Sequence, residues 1–124
     1  MKTRYYVTNA EWEILEVLWQ FPEGINQSRL LECMNMLGKD WKRQTLNTFI
    51  TRLEEKELVR REKRNVWAVM NKKEYAEIQA EEIIDRMFDG KISILMEAFI
   101  QKNKVSKMET ERLRKLLDTY KIDI

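Results

Sequence analysis

The sequence predicts a mainly α-helical fold with a small β-hairpin near its middle. Apolar residues recur at helical spacing in several segments that turn residues separate. One short stretch, residues 58–70, departs from this spacing: a basic run follows Leu58 and Val59, and residues 66–70 are rich in β-branched and aromatic residues. The order of helix, helix, short link, helix and hairpin is typical of a winged helix-turn-helix, and three more amphipathic helices are predicted after it.

The first helix is predicted to begin at Thr8 or Asn9 and to run through Gln20. Thr8 and Glu11 have the spacing of a capping box. Residues 21–24 contain Pro and Gly, which stop the helix. Its predicted core stripe consists of Trp12, Leu15, Leu18 and Trp19.

A second helix is predicted between a cap at Asn26 and a terminal Gly38. The third helix follows a short link and begins near Lys42. Its apolar residues fall at positions i, i+3, i+4 and i+7, which places them on one face toward a core. These residues are Leu46, Phe49, Ile50 and Leu53.

The opposite face of the third helix is polar but contains few of the long charged residues of an ordinary solvated face. Gln44 and Asn47 carry amides, which can bond the major-groove edge of adenine in a bidentate way. The threonines of this face are predicted to bond phosphates or meet a thymine methyl, and its arginines are predicted to bind phosphates. The predicted DNA-binding residues of this helix are Arg43, Gln44, Thr45, Asn47, Thr48, Thr51 and Arg52.

The hairpin is predicted to consist of two short strands joined at Arg64-Asn65, because Asn tolerates a positive φ in a tight turn. Trp67 and Val69 share one strand face, which is interpreted as a core face. Residues 41–64 hold eight basic and four acidic residues, so the small net charge of +2 is concentrated here. Four hairpin cations are predicted to contact the DNA backbone or a minor groove: Arg60, Arg61, Lys63 and Arg64.

The division predicted from these patterns is a DNA-binding domain over residues 1–70 and a helical dimerisation region over residues 71–124. Short amphipathic helices without a large core of their own need a partner surface, and a twofold-related copy is the simplest one. The residues predicted to form this dimer interface are Ile83, Met87, Ile92, Leu95, Phe99, Leu113, Leu116, Leu117 and Tyr120.

Composition excludes several functions. The chain has no His and a single Cys, Cys33, so the usual metal sets, catalytic triads and an intrachain disulfide cannot be built. No Gly-rich phosphate loop is present, and no metal or other cofactor is predicted. Because these catalytic groups are missing, we expect a protein that is not an enzyme. Neither a signal peptide nor a membrane span is evident, so we expect the protein to be cytoplasmic.

The sequence resembles the penicillinase repressor family of the BlaI/MecI/CopY type across essentially its whole length. The most specific similarity lies in Ala10-Glu11-Trp12-Glu13 through Trp19 and in residues 45–53, above all Ile50-Thr51-Arg52-Leu53. The resemblance implies a homodimeric repressor that binds a palindromic operator. In the antibiotic-resistance branch it also implies a membrane-bound sensor protease that cuts the helical tail before a Phe, which aligns with Phe99.

Three departures from the family pattern bear on function. The resistance repressors have Lys-Thr-Ile-Arg-Thr where this chain has residues 44–48, QTLNT, so two amides replace two cations and the same operator is not implied. Ala98 stands where those repressors have Asn before the scissile Phe. The chain ends in residues 120–124, YKIDI, which excludes copper sensing through the Cys-x-Cys motifs of the copper-responsive branch.

The polar face and the basic hairpin leave one alternative function open. The winged helix could be a protein-protein interaction module without specific DNA binding. Charge separates the two hypotheses, because removing the hairpin cations should abolish duplex binding and leave binding to a protein partner intact.

Overall fold

The computed structural model describes residues 6–120. Two segments lie outside the described residues. They are residues 1–5, where a signal peptide would begin, and residues 121–124, where the Cys-x-Cys motifs of the copper-responsive branch would lie. The elements in chain order are α1 (Asn9–Leu18), β1 (Ile25–Asn26), α2 (Gln27–Met36), α3 (Arg43–Glu55), β2 (Val59–Glu62), β3 (Asn65–Ala68), α4 (Lys72–Met87), α5 (Ile92–Gln101) and α6 (Lys107–Thr119). Within the described range, no helix has the length and apolar character needed to cross a membrane.

Helix α1 begins with the predicted capping box. The Thr8 hydroxyl accepts a hydrogen bond from the Glu11 backbone N–H at 3.2 Å, and the Glu11 carboxylate accepts one from the Thr8 N–H at 2.9 Å. The helix ends at Leu18, two residues before the predicted end at Gln20. The reason is a tightening of the last turn, since the Gln20 N–H bonds to the Val17 carbonyl three residues earlier.

The cap and the end of α2 match the sequence prediction. The Asn26 side chain accepts a hydrogen bond from the Ser28 N–H at 2.8 Å, and Gly38 has a φ of +93° after the last turn. The link to α3 is held by Asn35, whose amide exchanges two hydrogen bonds with the backbone of Trp41. The start of α3 is thereby fixed against the end of α2.

The hairpin belongs to a three-stranded antiparallel sheet of order β1-β3-β2. Strand β1 was missed because it is only two residues long. The turn prediction was also wrong: Lys63 has the positive φ, +59°, whereas Asn65 is extended in β3 and pairs with Asn26. The turn before β1 uses Gly24, whose φ is +99°, and a Cβ there would lie 2.2 Å from the side-chain amide nitrogen of Asn65 and displace that side chain.

The core lies between α1, α2, α3 and the sheet. Leu46, Ile50 and Leu53 of the predicted α3 stripe are fully buried, whereas Phe49 is half-buried with its ring centroid 4.9 Å from that of Trp41. The fully buried residues of the other elements include Ile14, Leu15, Leu18, Leu30, Met34, Leu58, Val59 and Val66.

The predicted core face of β3 was wrong. Val66 is buried, whereas Trp67 is only half-buried and Val69 is exposed. The sheet register explains the difference, because it sets Val66 opposite Arg61 and Trp67 opposite Arg60. Successive residues point to opposite faces, so burial of Val66 directs Trp67 away from the core.

An aromatic cluster joins the start of α4 to α1. The Tyr75 ring centroid lies 5.9 Å from those of both Trp12 and Trp19, and these two tryptophans meet edge to face at 5.3 Å. The Trp19 indole N–H donates to the Met70 carbonyl at 2.9 Å. The α1 stripe is consequently shared, with Leu15 and Leu18 in the main core and the tryptophans in this cluster.

The chain divides into two compact units, Met1–Glu82 and Ile83–Ile124, so the boundary falls inside α4. In the second unit, Gly90 has a φ of +75° after α4, and the Ser106 hydroxyl caps α6 by accepting from the Glu109 N–H at 3.1 Å. The large apolar side chains of this unit are poorly covered. Seven of the nine predicted dimer residues are 40–74% exposed: Ile83, Met87, Ile92, Phe99, Leu116, Leu117 and Tyr120.

Candidate nucleic-acid interface

The face of α3 opposite its buried stripe carries the polar residues singled out in the sequence. Burial of Leu46 and Ile50 on one side of the helix turns the other side outward. Thr51 is half-buried. The other six predicted residues of this face are exposed, namely Arg43, Gln44, Thr45, Asn47, Thr48 and Arg52.

Some of these side chains already have local partners. The Thr48 hydroxyl donates to the Gln44 carbonyl at 3.1 Å, as threonines in helices often do, so its one donor is already used. The Arg52 guanidinium lies 5.8 Å from the centroid of the Phe49 ring. Arg52 is therefore positioned by an aromatic face at the border of the polar surface.

The hairpin formed by residues 59–68, here called the wing, presents cations in two directions. Arg60, Lys63 and Arg64 are exposed. Arg61 shares a strand face with Val59 and is directed toward α3. The four predicted cations therefore form two sets, three at the surface and one at the junction of wing and helix.

Arg61 is held at this junction by four side chains. Its guanidinium donates to Asn47 Oδ1 at 2.6 Å, to Thr51 Oγ1 at 3.0 Å and to Gln27 Oε1 at 3.4 Å. It also forms an ion pair with Glu54, with an N–O distance of 3.0 Å. This arrangement could not be predicted from the sequence, because the partners come from α2 and α3.

The wing is also tied to the beginning of α2. The Gln27 backbone N–H donates to the Arg64 carbonyl at 2.8 Å, and the Asn65 amide donates to the Glu23 carbonyl at 3.3 Å. These bonds connect the wing tip to the turn before α2. The orientation of the wing is thus fixed by backbone contacts as well as by Arg61.

A cleft of about 580 Å³ opens between α2, the first turns of α3 and the wing. Sequence reasoning missed the contribution of α2 to this surface, although the polar pair Gln27-Ser28 directly after the Asn26 cap was a signal for it. Four of the lining residues are cations. One of them, Arg61, is paired with Glu54, so Arg43, Lys63 and Arg64 make the cleft favourable for an anionic ligand. It is lined by Gln27, Ser28, Leu31, Arg43, Gln44, Leu46, Asn47, Arg61, Lys63 and Arg64.

A helix-turn-helix with a β-hairpin wing defines the class of winged-helix proteins, and in this chain three further helices follow it. The family model for the penicillinase repressor matches residues 7–119. The chain therefore belongs to the penicillinase repressor family, whose members are transcriptional repressors. The family resemblance inferred from the sequence and the mainly α-helical winged-helix fold are both confirmed.

Individual relatives agree with this assignment at low identity. The chain is 27% identical over 118 residues to the methicillin resistance regulatory protein MecI of Staphylococcus aureus, covering 92% of this chain and 94% of the relative. It is 26% identical over 118 residues to the protein of the same name from Mammaliicoccus sciuri, with the same coverage of both chains. The penicillinase repressor of Bacillus licheniformis is 22% identical over 125 residues, covering 98% and 96% of the two chains. These names describe regulators rather than enzymes.

Proposed function

We propose that this protein is a homodimeric transcriptional repressor that binds a palindromic operator in double-stranded DNA. The observation that carries the proposal is the exposed polar face of α3 beside a cleft lined by Arg43, Lys63 and Arg64. A major groove accommodates an α-helix, and the surrounding cations attract the phosphates on either side.

The exposed residues of α3 divide into two roles. Gln44 and Asn47 contact base edges. A bidentate amide contact contributes about 1 to 3 kcal/mol of discrimination against a wrong base, and this figure applies to Gln44, because the Asn47 oxygen already accepts a hydrogen bond from Arg61. Thr45 bonds a phosphate or meets a thymine methyl, whereas Thr48, whose hydroxyl proton is given to the Gln44 carbonyl, meets a thymine methyl. The half-buried Thr51 accepts from Arg61 and keeps its hydroxyl proton for a phosphate. Arg43 and Arg52 bind phosphates.

The exposed wing cations supply affinity that does not depend on base sequence. Arg60, Lys63 and Arg64 neutralise phosphates and release counterions, so their contribution decreases as salt rises. The charge of Arg61 is balanced by Glu54 at 3.0 Å, and we therefore assign it no phosphate.

The exposed apolar residues of the second unit provide the dimer interface. Ile92, Phe99 and Leu117 are large apolar side chains that water covers in a single chain, and burying them against a second copy is favourable. Leu95 and Leu113, which are half-buried, complete the predicted set. Two copies would place two α3 helices on successive turns of one face of the duplex, roughly 34 to 36 Å apart.

Loss of the dimer would relieve repression, because one copy alone makes half of the contacts. A membrane sensor protease acting at Ala98-Phe99 is the inducer that the family resemblance suggests. The bond lies inside α5, and the Ala98 carbonyl accepts a hydrogen bond from the Lys102 N–H at 3.1 Å. Cleavage there requires local opening of the helix, since a protease binds an extended segment.

The experiment that tests the proposal is binding of the full-length protein to its own promoter region and to scrambled duplex over a series of salt concentrations. We expect a specific complex of two copies whose affinity falls steeply with salt. Equal and weak binding to both duplexes would contradict the proposal and favour the interaction-module alternative.

A further inference from the structure

Arg61 lines the cleft together with Lys63 and Arg64, but its guanidinium is bonded to side chains of α3. Its side chain is 22% exposed and contacts Gln27, Asn47 and Thr51 as well as Glu54. We propose that Arg61 is a positioning residue for base recognition, which orients the Asn47 amide and thereby selects the base edge that α3 accepts. This inference rests on the proposed DNA-binding function and specifies how its specificity arises.

The chemistry of the guanidinium fixes the orientation of the amide. Arginine has five N–H donors and no acceptor, so the Asn47 atom 2.6 Å from it must be the carbonyl oxygen Oδ1. The amide nitrogen Nδ2, with its two donors, is then turned away from Arg61. Because Asn47 is exposed, these donors lie at the outer surface of α3.

This orientation predicts a class of base edge. An amide that recognises adenine in a bidentate way uses its oxygen toward N6 and its nitrogen toward N7. In this protein Arg61 occupies one of the two lone pairs of this oxygen, so the two N–H donors of Nδ2 are the larger part of what Asn47 offers a base. Donors match acceptor atoms of the major groove, which are N7 and O6 of guanine, N7 of adenine and O4 of thymine, and they do not match the N4 amino group of cytosine.

The other contacts of Arg61 explain why it can hold this position. Thr51 at 3.0 Å and Gln27 at 3.4 Å engage further guanidinium N–H groups. Glu54, at 3.0 Å, lies one turn beyond Ile50 on the half-buried side of α3 and neutralises the charge. A guanidinium that is already paired with a carboxylate gains less electrostatic stabilisation from a phosphate. Arg61 therefore acts through Asn47.

A phosphate contact made by Arg61 itself is the competing role, and the two roles have different signatures. Removing a phosphate contact lowers affinity about equally for all sequences and reduces the salt slope by about one. Removing a positioning residue changes the preferred base at one operator position. Arg61→Lys separates the roles, because lysine retains the charge and cannot reproduce the planar fork of donors.

The test uses full-length protein and duplexes carrying each of the four base pairs at every operator position. The variants are Arg61→Lys and Arg61→Ala, with Arg64→Ala as the matched control, since Arg64 is an exposed arginine of the same wing. We expect both Arg61 variants to change the affinity ratio between base pairs at one position by roughly fivefold or more. Arg64→Ala should retain the wild-type ratios and show a smaller salt slope.

A second readout connects the effect to Asn47. In an Asn47→Ala background, which removes the oriented amide, Arg61→Lys should cause no further change in base preference at that position. Thermal unfolding of each variant verifies that it is folded, and the charge-conserving Arg61→Lys gives the decisive result if Arg61→Ala is unstable.

Three results would count against the inference. Arg61 variants that alter only the salt slope and overall affinity, as Arg64→Ala does, would overturn it and leave the repressor function standing. A change of preference that persists undiminished in the Asn47→Ala background would overturn the role of Asn47. Wild-type protein that prefers no base pair at any position would overturn the proposed function and this inference with it.

Discussion

The Lys56 ammonium lies 2.6 Å from the carboxylate of Glu11, joining the first turn of α1 to the end of α3. Glu11 is only 1% exposed, and the same carboxylate oxygen also accepts the Thr8 N–H of the capping box. A buried carboxylate without a cation is costly, because water no longer solvates its charge. This pair therefore fixes the helix that would enter the major groove against the rest of the domain.

Lys56→Ala is expected to lower the free energy of unfolding by on the order of 3 kcal/mol, because the Glu11 charge loses its partner. Lys39→Ala is the matched control. Its partner Glu13 is 38% exposed, so Lys39→Ala should lower the free energy of unfolding by no more than about 1 kcal/mol. Urea denaturation of both variants measures the difference, and equal losses would contradict a special role for the Glu11 pair.

Ionisation of Tyr75 is expected to make the folded protein less stable in strongly alkaline solution. Burial, followed by the charges of Glu11 and Glu82, raises the pKa of Tyr75 from 10.0 to about 12. The unfolded chain releases this proton first, so the free energy of unfolding is unaffected below pH 10 and decreases as the pH rises to about 12. Tyr75→Phe, which cannot ionise, should show a weaker decrease in this interval, as measured by denaturation at several pH values. Identical pH profiles for the two proteins would contradict the assignment.

Replacing Arg60, Lys63 and Arg64 together by Ala is expected to weaken binding to specific and scrambled duplex alike. Each lost phosphate contact reduces the salt slope by about one, so the slope should decrease by about three. The control replaces three exposed lysines of the tail by Ala, namely Lys102, Lys104 and Lys107. It removes the same amount of charge from the second unit. A wing variant with an unchanged salt slope would show that the wing does not touch the DNA backbone.

Truncation after Phe88 is expected to leave a folded monomer that binds the operator much more weakly. The first compact unit ends at Glu82 and retains Tyr75 with its aromatic cluster, whereas the predicted dimer residues from Ile92 onward are removed. Sedimentation gives the oligomeric state, and titration of the operator gives the affinity. A truncated protein that binds as tightly as the full chain would contradict dimerisation through the tail.

A shorter truncation separates the two possible domain boundaries. Ending the chain after Met70, at the predicted boundary, removes Tyr75 from Trp12 and Trp19. We expect this protein to be less stable than the one ending after Phe88, because the two tryptophans lose an aromatic partner. Equal thermal stability would favour the boundary at residue 70.

The sequence by itself placed the helices, since their caps and apolar periods are local, although α1 ends two residues before its predicted end. Thr8 with Glu11, Asn26, Gly38 and Ser106 each mark a helix end through contacts within a few residues. The buried stripe of α3 could be predicted for the same reason, and it determined which face of that helix is polar. The exposed α3 members of the candidate DNA surface follow directly from this face.

Tertiary structure decided the features that depend on pairing between distant segments. Strand β1 exists because Ile25 and Asn26 pair with Val66 and Asn65, and this register moved the turn to Lys63 and directed Trp67 outward. Arg61 could not be distinguished from Arg60 in the sequence, because its four partners lie on α2 and α3 and meet only in the folded chain. Short-range periodicity thus specifies which residues face out, and long-range contacts specify which of them are free to bind.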